Sequence, residues 1–504
     1  MKPAKRARAD MVRYFADVSI TDSALARVLA KIKKRPELID EIPSSSVKAF
    51  EHHLTNERMS QLRQVSTSMD LPLEAGGLYS CPLLSPHRLL RFCVDQCPGM
   101  HDLIASTLRR KPFPWHIIIY ADELTPGNVL RPDNRRKVSA IYWSFKEFGP
   151  LLHNEHVWLV AAVLRHNVIN TLSGGISAVI KMLLRELFLS DAAINSAGVV
   201  LRLQSEPVLM HAVLSNIIAD EAELKAIWGV KGSSGLRPCM LCKNLCMKDS
   251  QLARHAVHYL VEIDTSDFAA MDLTSNEDIW FMTDFITAQH AVLGKAAMDE
   301  LEKASGIRYN PHGILADIEL RQHVAPVDVN TIDPCHTYFS HGTAAEELHL
   351  FLDACKRKAN LKFEQFRQFC AADWKAPKRT GRTALLSGAV FSDAREHASK
   401  DCFKGMASEV LSVFPLVRQL AEATASQHAN LQKELASFRA MHDVIDLLQQ
   451  AKHSLNAPSF CSQWEIAQKN TLNFSVSLIA AITSSLSTTM LCTFHRSCRG
   501  TGSL

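Results

Sequence analysis

An α/β fold, with one sheet covered by helices, is what this sequence predicts, on three observations. The run "WHIIIYADEL" (Trp115–Leu124) sets three consecutive isoleucines between aromatic residues, the composition of a strand buried on both faces. "RKVSAIYWSF" (Arg136–Phe145) and "HVWLVAAVL" (His156–Leu164) repeat that strand-forming texture. "GISAVIKMLLRELF" then puts Ile176, Val179, Ile180, Leu183, Leu184, Leu187 and Phe188 on one face at helical spacing.

Around this centre the elements follow in order. Residues 1–110 read as helical and mixed, punctuated by Pro and Gly in "LPLEAGGLYSCPLLSPH" (Leu71–His87). The Ile117–Asp122 strand breaks at Thr125-Pro126-Gly127-Asn128, which is turn chemistry. After the helix, "GVVLRL" and "PVLMHAVLSNIIAD" return to strand texture and end on Asp220. An acid therefore closes the first and the last strand, Asp122 and Asp220, either as polar exits from core strands or as two parts of one site. A third acid on a helix would complete such a site. In "HGTAAEELHLFLDACKRK" (His341–Lys358), Thr343 and Glu346 have capping-box spacing. Glu347 instead borders the apolar stripe, where a carboxylate needs a partner or a task. Asp333 in "IDPCH" is its rival, with His336 three residues on.

The totals narrow the classes. With 504 residues, 47% hydrophobic and 21% charged, the chain is an ordinary globular one with room for several domains. Lys plus Arg outnumber Asp plus Glu by only 56 to 52, so global charge names no partner. Local charge does. Residues 1–35 and 356–382 are basic segments, as expected of surfaces that meet polyanions. Thirteen cysteines have no framework spacing, and "MKPAKRARAD" has no apolar leader, so a reducing compartment with mostly free thiols is expected. "KRAR" (Lys5–Arg8) can serve nuclear import; otherwise the cytoplasm is expected. Thr471 to Phe494 is uncharged but too rich in Ser and Thr for a membrane span; residues 471–504 read as an unstructured tail.

Three blocks together resemble the catalytic region of DDE/D transposases, in particular the CACTA-related, Plavaka-like group. They are "YADELTPGNVLRPDNRRK" (Tyr120–Lys137), "IIADEAELKAIWGVKGSSGLRPCMLC" (Ile217–Cys242) and "IDPCHTYFSHGTAAEELHLFL" (Ile332–Leu352). The resemblance spans about half the chain, and its weight lies in the order and spacing of the blocks. It implies an RNase H-like mixed sheet flanked by helices over residues 111–358, with a Cys-rich insertion around 229–330. Helical regions would lie on either side, residues 359–470 being basic and then helical. It also implies that Asp122, Asp220 and either Glu347 or Asp333 grip two Mg²⁺ or Mn²⁺ ions, with His336 near the site. Hard divalent cations prefer oxygen ligands, and two of them can activate a nucleophile and stabilise a leaving oxygen.

Other residues bear chemistry of their own. Cys239 and Cys242, followed by His255 and His258, are candidate zinc ligands, although the His–His gap is short and Cys246 is an alternative. The other reading is two buried thiols and two unrelated histidines. Arg131, Arg135 and Arg136 beyond the Asp122 strand, with Lys356, Arg357, Lys358, Lys378, Arg379 and Arg382, are candidates for DNA phosphate contacts. Phe363, Phe366, Phe369 and Trp374 interleave the second group and are expected to face a core rather than stack on bases. Leu431, Leu435, Phe438, Met441, Val444, Ile445 and Leu448 have the spacing of a bundle or homodimer helix.

The leading expectation is thus a metal-dependent DNA strand-transferase, or a decayed relative. The alternatives are a zinc-stabilised DNA-binding protein without catalysis, and a helical or tail-anchored interaction protein.

Overall fold

The structure, a computed structural model, describes residues 60, 63–125, 136–204, 206–237, 239–245, 261–262, 272–340, 342–372, 389–392, 402–423 and 425–454. It begins with an antiparallel hairpin of β1 (Ser66–Pro72) and β2 (Leu78–Leu84), whose turn passes through Gly76 and Gly77 at φ +88° and +89°. Here the sequence reading of a helical and mixed stretch missed two strands. Helices α1 (Pro86–Gln96) and α2 (Pro98–Leu108) follow, each with proline at its start, where the missing N–H costs nothing.

Strand β3 (Trp115–Leu124) is the centre of the molecule. Trp115, Ile117, Ile119 and Ala121 alternate along it and are buried, whereas Tyr120 and Asp122 on the other face are only partly covered. It pairs antiparallel with β4 (Val138–Phe145), and β4 with β5 (Leu159–Arg165). Then comes α3 (Gly175–Phe188), the amphipathic helix expected from the apolar spacing. A hairpin of β6 (Val199–Leu203) and β7 (Glu206–Met210) precedes β8 (Ala212–Ala219), so "PVLMHAVLSNIIAD" is two strands broken at His211 rather than one. Beyond β8, α4 (Glu221–Trp228) leads to the short parallel pair β9 (Asn244–Leu245) and β10 (Val261–Glu262), then α5 (Asn276–His290) and α6 (Lys295–Ser305). The three-residue β11 (Asn330–Ile332) closes a five-stranded sheet of order β11-β8-β3-β4-β5. Both β3–β8 and β8–β11 are parallel, and parallel neighbours require crossover connections. Helix α3 lies in the first connection and α4, α5 and α6 in the second.

Two apolar cores result. The first runs from Val65 to Ile332 and joins the hairpin, α1, α2, the sheet and α3. The second is helical. It contains a π-helical turn (Cys335–Phe339), α7 (Thr343–Ala359), α8 (Phe363–Ala372), α9 (Ala407–Ala423) and α10 (Gln432–Ser454). Phe438 stacks on Phe351 at 4.4 Å and on Phe414 at 4.7 Å. Phe363 and Phe366 are buried here, as expected for aromatics that serve packing. The stripe of α10 is likewise spent within this bundle.

Removing the Ile119 side chain should leave a cavity in the first core and cost about 2–5 kcal/mol. By contrast, Val163→Ala on the edge strand, at a residue 52% exposed, should stay within about 0.5 kcal/mol of the parent. Urea unfolding of the two variants would check the contrast, and equal losses would refute the assignment of β3 as the core strand.

Candidate functional site

The three parallel strands end at one edge of the sheet; β8 and β11 are each followed by an aspartate, and β3 carries Asp122 two residues before its end. Tyr120 is paired with Ile218 across β3 and β8, so Asp122 and Asp220 lie at neighbouring strand ends. Ile332 pairs with Ala219, and the Asp333 N–H donates to the Ala219 carbonyl at 2.9 Å. Asp333 is thereby set beside Asp220. The structure thus brings together Asp122, Asp220, Asp333 and His336, which sits on the π-helical turn directly after Asp333.

Two of the three carboxylates have a local task as well. Asp220 caps α4, with Oδ1 accepting the Glu223 N–H at 2.7 Å. Asp333 accepts the Cys335 N–H at 2.8 Å on Oδ1 and pairs with His336 Nδ1 at 2.7 Å through Oδ2. Asp122 neither caps a helix nor pairs with a histidine, and accepts a backbone hydrogen bond from Glu123 instead. Burial, followed by the charges of Asp220 and Asp333, raises its pKa, and His336 opposes the rise. The pairing with Asp333 raises the pKa of His336 in turn, and Asp220 and Asp122 add to it. Tyr120, two residues before Asp122 on the same face, has its phenol held far up by burial and then by the surrounding acids. Its ring stacks on Tyr142, with centroids 6.5 Å apart.

Glu123 points to the opposite face and pairs there with Lys137 and with His166, the latter at 2.6 Å. The sequence analysis missed Glu223. It is 9% exposed, and its Oε1 has no hydrogen-bond partner among the described residues. Burial, then Glu123, Asp220 and Asp122, push its carboxyl up to about 7. The spacing Asp220-x-x-Glu223 was its only sequence signal, and that pattern ordinarily marks a helix start.

Glu347 goes elsewhere. It is buried in the second core, facing Ser437 and Glu434 of α10, not the strand ends. Burial first, with Glu346 and Glu434, pushes its carboxyl up to about 7. The expected capping box is also absent. Gly342 is the N-cap of α7 with no side-chain cap, because a Cβ at this position would overlap the Thr337 carbonyl oxygen of the π turn. Thr343 is accordingly shifted into the first turn of the helix.

Among the described residues no group of three or more His, Cys, Asp or Glu side chains converges closely enough to hold a metal ion. Cys239 is buried and accepts the Leu241 N–H at 3.3 Å. Cys242 is disulfide-bonded, which withholds the thiolate that zinc needs and departs from the expectation of free thiols there. The buried guanidinium of Arg237 holds this turn, donating to the Cys242 carbonyl at 2.6 Å and to Thr274 Oγ1 at 2.6 Å. Cys246, His255 and His258 lie outside the described residues. So do Arg131, Arg135, Trp374, Lys378, Arg379 and Arg382, the Lys5–Arg8 signal and the uncharged tail. Arg136 and Lys356 are exposed. Arg357 pairs with Asp353 and Lys358 with Glu434 at 2.6 Å, so both of these cations are already engaged. No helix among the described residues is long and apolar enough to cross a membrane.

Comparison with protein-family models gives no match to this chain, and comparison with curated proteins gives none either.

Two titrations follow. Because the folded Glu347 binds its proton more tightly than an ordinary carboxyl of pKa 4.5, the fold loses stability as pH rises from 4.5 to about 7. Glu347→Gln should remove that loss, so the variant gains on the parent by up to about 3 kcal/mol across the window in denaturant titrations. A pH-independent difference would show that the carboxyl is not buried there. For His336, whose pKa is raised, the pairing stabilises the fold below the ordinary value of 6.5 and is lost as pH rises through the folded value. Asp333→Asn should lower the imidazole pKa by NMR, and an unmoved value would rule out the pair.

Proposed function

We propose that this chain is a transposase-like protein whose carboxylate edge cuts and transfers DNA strands with divalent metal ions. The observation that carries this reading is the meeting of Asp122, Asp220 and Asp333 at one end of three adjacent parallel strands. A sheet of three antiparallel strands extended by two parallel ones, with helical crossovers, supports an RNase H-like assignment for the fold.

The donor chemistry is that of a hard divalent cation, three acids, but they stand too far apart here to share an ion and would have to draw together around it. Asp122, Asp220 and Asp333 would hold Mg²⁺ or Mn²⁺, which when bound supplies charge neutralisation and a more acidic nucleophile. The chain's own residues do the rest. Strand β3 fixes the position of Asp122, and β8 and β11 fix the other two. His336 presents an imidazole, whose proton Asp333 helps to hold, at an edge that a phosphodiester must approach. Tyr120 and Tyr142 offer ring surface next to the acids. In this reading Asp333 rather than Glu347 is the third carboxylate.

A second reading is a DNA-binding relative that no longer cuts. It is favoured by the engagement of Asp220 as a helix cap and of Asp333 with His336.

Nicking and strand transfer would be measured on DNA bearing the flanks of the chain's own locus, in Mg²⁺, Mn²⁺ and EDTA. Metal-dependent activity that falls at least about 100-fold in Asp122→Asn and in Asp333→Asn, but persists in Glu347→Gln, is the expected result. Salt-sensitive binding without cutting would favour the second reading. Neither cutting nor binding would dispose of both.

A further inference from the structure

The aromatic stack of the second core ends on a titratable group. Phe438 of α10 stacks on Phe414 of α9, and one turn further along α10 stands His442. Its ring centroid is 6.4 Å from that of Phe414, and the residue is only 8% exposed. A polar ring buried to that degree depends on protein partners.

Two groups meet the same nitrogen. Nδ1 of His442 lies 2.6 Å from Arg418 Nη1 on α9 and 3.1 Å from Asp446 Oδ2 on α10. A guanidinium only donates, and an ionised carboxylate only accepts. Nδ1 therefore bonds to Arg418 when it carries no proton and to Asp446 when it does. One protonation state cannot satisfy both.

Each partner has an alternative. Arg418 Nη1 is also 3.1 Å from Asp443 Oδ1, and its Nε is 3.8 Å from Glu422 Oε1. Glu422 in turn is held from α10 by Arg439 Nε at 2.7 Å. The guanidinium can thus leave the imidazole and stay paired. Asp446 is half-exposed and makes no other ion pair among the described residues.

The charges acting on His442 come from both helices. They are Asp446 and Asp443 on α10 and Arg418 on α9, and His442 acts in turn on Glu422. The buried acid of α7, Glu347, answers instead to Ser437, Glu346 and Glu434. Burial is the largest influence and lowers the His442 pKa from its ordinary 6.5; Asp446 and Asp443 oppose it, and Arg418 adds to it. The fold thus favours the unprotonated ring.

We propose that His442 is a proton-operated switch between α9 and α10. Without a proton, Nδ1 accepts from Arg418 and ties one helix to the other. With a proton, Nδ1–H donates to Asp446 of its own helix, and the Arg418 guanidinium withdraws toward Asp443. The cross-helix bond at the buried face is lost. The stability it brings is full above pH 6.5 and is lost as pH falls from 6.5 through the folded value. Glu347 titrates in the opposite sense in the same core, so the test must read His442 directly. The switch is independent of what the carboxylate edge does.

The test is NMR of the full chain labelled with ¹⁵N-histidine, titrated from about pH 4.5 to 8. The His442 signals are identified by their absence in His442→Gln. Above the midpoint Nδ1 should be unprotonated and Nε2 should carry the hydrogen. Arg418→Gln should raise the midpoint, because a repelling charge leaves, and Asp446→Asn should lower it. Hydrogen exchange gives a second readout. Relative to His442→Gln, which shares the Glu347 titration, the parent should lose protection of its α9 amides as pH falls. The proposal fails if Nδ1 carries the hydrogen at high pH, since the ring would then bond to Asp446 in both states. It fails equally if neither substitution moves the midpoint, or if the difference in protection is the same at every pH.

Discussion

The parallel registration of β3, β8 and β11 is the constraint on which the rest of the structure depends. Parallel strands cannot be joined by tight turns, so each junction needs a long crossover, and the crossovers are where α3 to α6 come from. The same registration makes all three strands end at one edge. One decision about strand direction therefore produces both the helical cover of the core and the meeting of three aspartates that are far apart in sequence. Of the two remaining strands, β4 starts at that edge and β5 ends there on Arg165, so neither delivers an aspartate.

Gathering three acids at one edge has an electrostatic cost, and the structure divides it by face. Asp122 and Glu123 are adjacent in sequence and so point to opposite sides of the strand. Glu123 meets two basic side chains and is settled there. On the other side, His336 is the only side chain whose charge lowers the Asp122 pKa, and it is already paired with Asp333. Acids therefore crowd both faces, with Glu223 held at about 7 on the Glu123 side by burial and by Glu123. A protein working on DNA would need a cation between the Asp122 face and the phosphates, which is the physical content of the metal-dependent reading.

How much of this could be read from the sequence depends on the range of the interaction involved. The Ile117–Ile119 strand and the α3 stripe were legible because periodicity reports local burial. Asp122 and Asp220 were legible because each closes an apolar run. Glu347 shows the limit. Its helical position correctly marked it as near a buried stripe, but a wheel does not say which core the stripe enters, and α7 turns that side to α10 rather than to the sheet. Asp333 was ambiguous because its strand is only Asn330–Ile332, too short to carry any period. The β1–β2 hairpin was missed because Pro and Gly were read as breaks between helices, whereas Gly76 and Gly77 turn one strand into the next. Glu223 had only a helix-capping spacing to mark it, and the cavity it lines had no local signal, since five separate segments build the walls.

The helix start at Asp220 ties the two halves of the site together. Its Oδ1 holds the N–H of Glu223, so the carboxylate that faces the strand edge also fixes the first turn of the helix that carries the cavity's acid. Asp220 has a second oxygen, and a ligand taken up there leaves the cap intact only if the carboxylate does not rotate. Rotation would release the Glu223 N–H, loosen the first turn of α4 and move a buried carboxyl that has no other partner among the described residues. With eight residues, α4 has little length over which to absorb such a change. The strand edge and the wall of the cavity thus share one capping bond, between Asp220 and the Glu223 N–H.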